Sequence, residues 1–132
     1  MIDAQTLVTT APSGGSSVTM FSPWFQRGGD FATFTAEVAA IAGTSTGATL
    51  TVRAFHKNAD ETGDGTDVDT STKIELTTAT RLAATWPVQS SSTVKGFKQL
   101  VRYQFSLSAT GGTAYATFRM LSPIWFDNVK AW

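Results

Sequence analysis

Cysteine is missing from this 132-residue chain, histidine occurs once, and formal net charge is zero, with ten basic and ten acidic side chains. The absence of cysteine excludes a disulfide framework, a thiolate zinc site and a cysteine nucleophile together. Zero net charge without a basic stripe argues against nucleic acid as a partner and against an anionic membrane patch. No apolar run approaches the roughly 18 residues of a membrane-spanning helix. The alternating strands that an outer-membrane barrel requires exceed what this length holds. The first ten residues, MIDAQTLVTT, have neither a basic start nor a continuous apolar stretch, so no signal peptide is expected. Gly28-Gly29 and Gly111-Gly112 are not phosphate loops, because no Gly-Lys-Thr follows either pair and neither opens a helix.

Charged residues are also scarce, at 15% against the roughly 25% of an average soluble domain. Their place is taken by 22 threonines, 12 serines and 11 glycines. Threonine is β-branched and favours pleated strands, while serine and glycine supply turns. Such a composition predicts an all-β protein with neutral polar faces, and low surface charge removes one guard against association. The length fits one domain, so residues 1–132 are expected to form a single β-sandwich.

Strand and turn signals alternate along the chain. Short runs near Thr6–Thr9 and Val18–Phe25 come first, the second ending irregularly at Pro23. From Phe31 to Ile41, Phe34, Ala36, Val38 and Ala40 share one face, and Thr33, Thr35 and Glu37 the other. Gly43–Gly47 is expected to close a hairpin onto Thr49–Lys57, where Leu50, Val52, Ala54 and His56 share a face. Further strands are expected at Lys73–Thr77 and Arg81–Val88, then a serine-rich loop over Gln89–Thr93. Leu100–Ser108 alternates cleanly, and Gly111-Gly112 is expected to turn it into a hairpin with Ala114–Leu121. That hairpin would bring Arg102 and Arg119 onto opposite arms. Ile124–Trp132 is the last run. Eight or nine strands at this spacing predict a two-sheet antiparallel β-sandwich, jelly-roll-like in character.

The acidic loop NADETGDGTDVD, residues 58–69, is the densest polar cluster. Asp60, Asp64, Asp67 and Asp69, with Glu61 and the flexing Gly63 and Gly65, resemble in composition an oxygen-rich calcium loop. Its twelfth position is aspartate instead of a bidentate glutamate, and neither flank is helical. A solvated loop without metal is therefore the main expectation, with calcium as the alternative. His56 has no neighbouring nucleophile and no G-x-S-x-G elbow accompanies it, so a structural histidine is expected. The remaining acids are scattered, which gives no paired carboxylates for glycoside hydrolysis. No enzyme and no cofactor are expected. The arginines are expected to be solvated or paired with the acidic loop.

Trp24-Phe25 and Trp125-Phe126 each follow a proline, and Trp132 ends the sequence. Adjacent residues of a strand face opposite sides, so core burial accounts for one member of each pair. The other members leave Trp24, Phe25, Trp125, Phe126 and Trp132 as the candidate interface set.

The segments FSPWFQRGGDFATFTAEVAAI and LVRYQFSLSATGGTAYATFRMLSPIWFDNVK, in a Thr/Ala/Gly-rich chain without cysteine, resemble small structural proteins of tailed bacteriophage virions. The likeness is to the β-sandwich proteins that decorate heads or form head-associated spikes. The resemblance implies a non-enzymatic virion component made in the host cytoplasm. It also implies partners among the major capsid protein or other virion proteins, and a homo-oligomer with a trimer favoured. It carries over no individual site residues. The alternative reading is a carbohydrate-binding β-sandwich module with a structural calcium ion in the acidic loop.

Overall fold

The computed structural model describes residues 2–11, 16–43, 47–68, 74–77 and 88–126. Among them there is no helix and there are eleven strands: β1 (Ile2–Ala11), β2 (Ser16–Phe21), β3 (Phe25–Gln26), β4 (Phe31–Gly43), β5 (Ala48–Lys57), β6 (Thr66–Asp67), β7 (Ile74–Thr77), β8 (Val88–Lys95), β9 (Leu100–Ala109), β10 (Gly112–Met120) and β11 (Ile124–Phe126). Eight of these have four residues or more, and every pairing is antiparallel.

Three strand positions are shared by two segments each. β10 and β11 pair in line along one side of β4, at 36–43 and 31–33, while β8 pairs along the other side. β2 and β3 share one side of β9, opposite β5. β6 and β7 share the free side of β5. Counting each shared position once leaves two four-position sheets: β1, β10/β11, β4, β8 and β2/β3, β9, β5, β6/β7. Numbered along the chain these run 1-8-3-6 and 2-7-4-5, the connectivity of a jelly roll. The all-β sandwich expected from composition and spacing is the observed fold.

Connectivity corrects the two hairpins. β4 and β5 lie in different sheets, as do β9 and β10, so both glycine-rich turns arch across the sandwich. Arg102 and Arg119 consequently sit in opposite sheets. A strand with one apolar face satisfies it equally by pairing edgewise within a sheet or by packing face to face, so local alternation does not choose between hairpin and arch. The two arches meet at one end, where Thr110 N–H donates to the Gly47 carbonyl at 3.0 Å. A Cβ on Gly47 would lie 2.9 Å from Thr110 Oγ1, so a side chain there has to displace the Thr110 hydroxyl.

Three other boundaries differ. Gln89–Thr93 belongs to β8, whose ladder runs along β4 from Phe31↔Lys95 to Val38↔Val88; pairing overrides the loop-like serines. Thr6–Thr9 is the middle of the longer β1, and Val18–Phe25 divides into β2 and β3 around Pro23. At that break Ser22 restores the ladder, its N–H donating to the Tyr103 carbonyl at 3.0 Å while its Oγ accepts from Tyr103 N–H at 2.9 Å. In β4, Val38 and Ala40 stand opposite the consecutive residues Phe118 and Thr117 of β10. The extra residue is a β-bulge that resets the alternation, and Ile41 is buried where strict period two puts Ala40. Arg81–Pro87, with Trp86, lies outside the described residues.

The core fills the space between the sheets. Ala32, Phe34, Ala36 and Val38 of β4 and Ala114, Ala116, Phe118 and Met120 of β10 face Val101, Tyr103, Phe105 and Leu107 of β9 and Leu50, Val52 and Ala54 of β5. Phe105 and Phe118 meet across the sandwich with ring centroids 4.9 Å apart. Toward the β3 and β11 end the alanines give way to rings, with Phe34 touching Tyr103 at 5.1 Å and Phe97 touching Trp125 at 5.4 Å. Burial among these rings raises the Tyr103 phenol's pKa, and its oxygen has no hydrogen-bond partner among the described residues.

Candidate functional site

The outer face of the β9/β5 sheet has two unlike halves. Near the arches, register aligns Ser17, Ser108 and Thr49 in one row and Thr19, Ser106 and Thr51 in the next, a neutral hydroxyl surface. Beyond it lie Phe21, Phe55, Arg53 and Arg102, and the acidic loop folds back over them. Arg102 is the organising side chain. Its guanidinium carbon is 3.8 Å from the Phe21 ring centroid and 4.4 Å from that of Trp24. Its Nη2 donates to Asp64 twice, to the carbonyl at 2.9 Å and to Oδ1 at 3.1 Å. Arg102 Nε is buried with no partner among the described residues, so the aromatic faces replace part of its hydration.

The loop is fixed by several further contacts. Lys57 Nζ lies 4.7 Å from the Trp24 ring and donates to the Gly63 carbonyl. Gly65 has φ of +75°, and a Cβ there would sit 2.7 Å from the His56 carbonyl and 2.8 Å from Trp24 Cη2. Asn58 Nδ2 and Lys98 Nζ both donate to Glu61 Oε1, and these hydrogen bonds, Lys98's first, hold the carboxyl below the usual range. Arg53 pairs with Asp67 at 3.0 Å. His56 Nδ1 accepts from Lys98 N–H at 3.1 Å, and burial followed by the nearby Lys98 charge lowers the imidazole's pKa. The histidine is thus a structural acceptor.

This arrangement distributes the carboxylates of the calcium candidate. Asp64 and Asp67 each face an arginine, Asp60 is exposed, and Asp69 lies outside the described residues. Among the described residues no group of three acidic, histidine or cysteine side chains is placed to hold a metal ion. No helix among them is long and apolar enough to cross a membrane. An open cleft of about 280 Å³ lies beside the loop, lined by Gln26, Arg27, Ala59, Gln99 and Leu100. Two of its polar side chains are engaged: Arg27 donates to the Phe97 carbonyl at 2.8 Å, and Gln99 Oε1 accepts from Ala59 N–H.

The candidate interface residues separate. Phe25 and Trp125 pack on the core, within 6.5 Å of each other and against Tyr103 and Phe34 respectively. Trp24 is half-buried beneath the acidic loop. Phe126 is 40% exposed, and its neighbour along the strand, Ile124, is 60% exposed, a residue that sequence reasoning passed over. Pairing β11 with Phe31–Thr33 fixes which members turn outward, information held in the register. Trp132 lies outside the described residues. The outer face of the β4/β10 sheet that carries Ile124 and Phe126 also holds Thr33, Thr35 and Thr117. On the same face Arg119 pairs with Glu37 at 2.7 Å. No protein-family model, curated protein or solved structure matches the chain.

Proposed function

We propose that this protein is a non-enzymatic structural subunit that docks through the outer face of its β4/β10 sheet, and that it serves in a bacteriophage virion as a head decoration or head-associated protein. The observation that carries the reading is the exposure of three large side chains, Tyr115 of β10 and Ile124 and Phe126 of β11, on a sheet face where Arg119 and Glu37 are paired. Interfaces that form stably are poor in uncompensated charge at their centre and enriched in large apolar groups. Jelly rolls recur in viral capsid domains, which adds support by analogy of fold alone. They recur in lectins as well, where tryptophan faces commonly stack on sugar rings. Here Trp24 is occupied by Arg102 and Lys57, and Trp125 by Phe97.

Particles produced from the genome that encodes this chain, banded on a density gradient, provide the test. The chain is expected to co-band in stoichiometric amount, and Ile124→Ser with Phe126→Ser to lower its occupancy at least tenfold without changing its thermal midpoint. A chain that stays wholly in the soluble fraction overturns the reading.

A further inference from the structure

Among the described residues the two sheets present four lateral edges, and three of them carry features that discourage pairing with another strand. The β2/β3 edge is interrupted at Pro23, and β6 and β7 have only two and four residues. β8 follows Pro87 and ends on Lys95. Proline, short length and lysine are the ordinary means by which sheet edges avoid association. β1 has none of them. It is ten residues long, its one register irregularity falls between Ile2 and Gln5, and from Gln5 to Ala11 it pairs without interruption along β10. Among the described residues no strand pairs with its other side. Every second residue of that stretch therefore directs backbone N–H and C=O groups away from the sheet.

We infer that the free edge of β1 pairs antiparallel with β1 of a second copy of this chain, giving a two-fold dimer in which the four-position sheet continues into eight. The occupant follows from the segment itself. QTLVTTA, residues 5–11, contains no charge, proline or glycine, so antiparallel self-pairing opposes no like charges. With the axis at Val8, Thr6 stands opposite Thr10 of the partner subunit, and Gln5 opposite Ala11 of the partner subunit. Asp3, the nearest acid, then falls beyond the paired stretch. A two-fold contact uses the same patch twice, and a neutral strand edge meets that requirement. The inference deepens the assembly reading above by naming one self-contact; it does not depend on the β11 face.

The test combines sedimentation velocity over a hundredfold concentration range with hydrogen exchange at the β1 amides. In register, Thr6 and Thr10 stand opposite Thr117 and Thr113 of β10. Thr6→Lys with Thr10→Lys opposes lysine to lysine twice across the axis. The wild-type chain and a Thr6→Ser, Thr10→Ser control are expected to sediment as dimers. The lysine variant is expected to sediment as a monomer with unchanged thermal midpoint, alternate amides of Gln5–Ala11, those directed away from β10, exchanging at least tenfold faster. A monomeric wild type, or an oligomer that the lysine pair leaves intact, overturns the inference. If the lysine variant does not fold, wild-type exchange decides: alternate amides of Gln5–Ala11 exchanging at unprotected rates overturn it. A wild-type monomer that still co-bands with particles overturns the edge pairing alone, leaving the docking reading in place.

Discussion

Arg102 and Asp64 form an unequal pair, with the arginine side chain 11% exposed and the aspartate 83%. Most of what holds the guanidinium is therefore aromatic stacking and burial of its stem, with the carboxylate contributing little in solvent. Arg102→Ala is expected to cost about 2 kcal/mol, from two desolvated cation–π contacts and lost packing. Asp64→Ala should cost less than about 1 kcal/mol, and urea unfolding of the two variants measures the difference. His56 gives a pH signature. Its folded-state pKa is below the ordinary imidazole value of about 6.5, so the unfolded chain binds more protons, and stability rises with pH through that window. The contribution is present above about pH 6.5 and is lost as pH falls toward the folded value, before carboxylates near 4.3 begin to titrate. Thermal midpoints between pH 7.5 and 5 should decline for the wild type and decline less for His56→Asn. At this scale the sequence showed a lone structural histidine and arginines near an acidic loop. Which arginine met which acid depended on strand register, which spacing alone does not specify.

Elements were most legible where one face is apolar over a long run. β9 and β5 were found nearly to the residue, because Val101, Tyr103, Phe105 and Leu107, and Leu50, Val52 and Ala54, keep strict period two. β8 was missed because its serines have loop composition and its strand character comes from β4. The turns were located, but their partners were not: a Gly-Gly step is compatible with a hairpin or with an arch between sheets. The acidic loop separates two uses of glycine that the sequence displays identically. Gly63 has φ of +91° with open space around its Cβ position, whereas Gly65 is pressed against the His56 carbonyl and Trp24. Gly63→Ala should therefore cost about 1–2 kcal/mol, the penalty of a left-handed conformation. Gly65→Ala should cost more and loosen the loop, seen as faster hydrogen exchange over 58–68 with the strands still protected.

For the molecule as a whole, the sandwich depends on ring contacts between sheets. Phe105→Ala is expected to cost about 3–5 kcal/mol, a large share of the roughly 5–15 kcal/mol that holds a domain of this kind together. Calorimetry should show one cooperative transition shifted downward. The fold class was legible because composition and period bear on layers, while strand order depends on contacts between residues far apart in sequence. The same jelly-roll connectivity has a consequence for synthesis. β1 is made first, yet its partner β10 ends at Met120, and β2 must wait for β9. Among the described strands, the β5–β6–β7 segment alone finds its sheet partner next in sequence. A ribosome therefore releases the residues through β9 before the β2 sheet closes and those through β10 before the β1 sheet does, and during that interval the neutral, lysine-free stretch of β1 is most open to meeting another nascent copy.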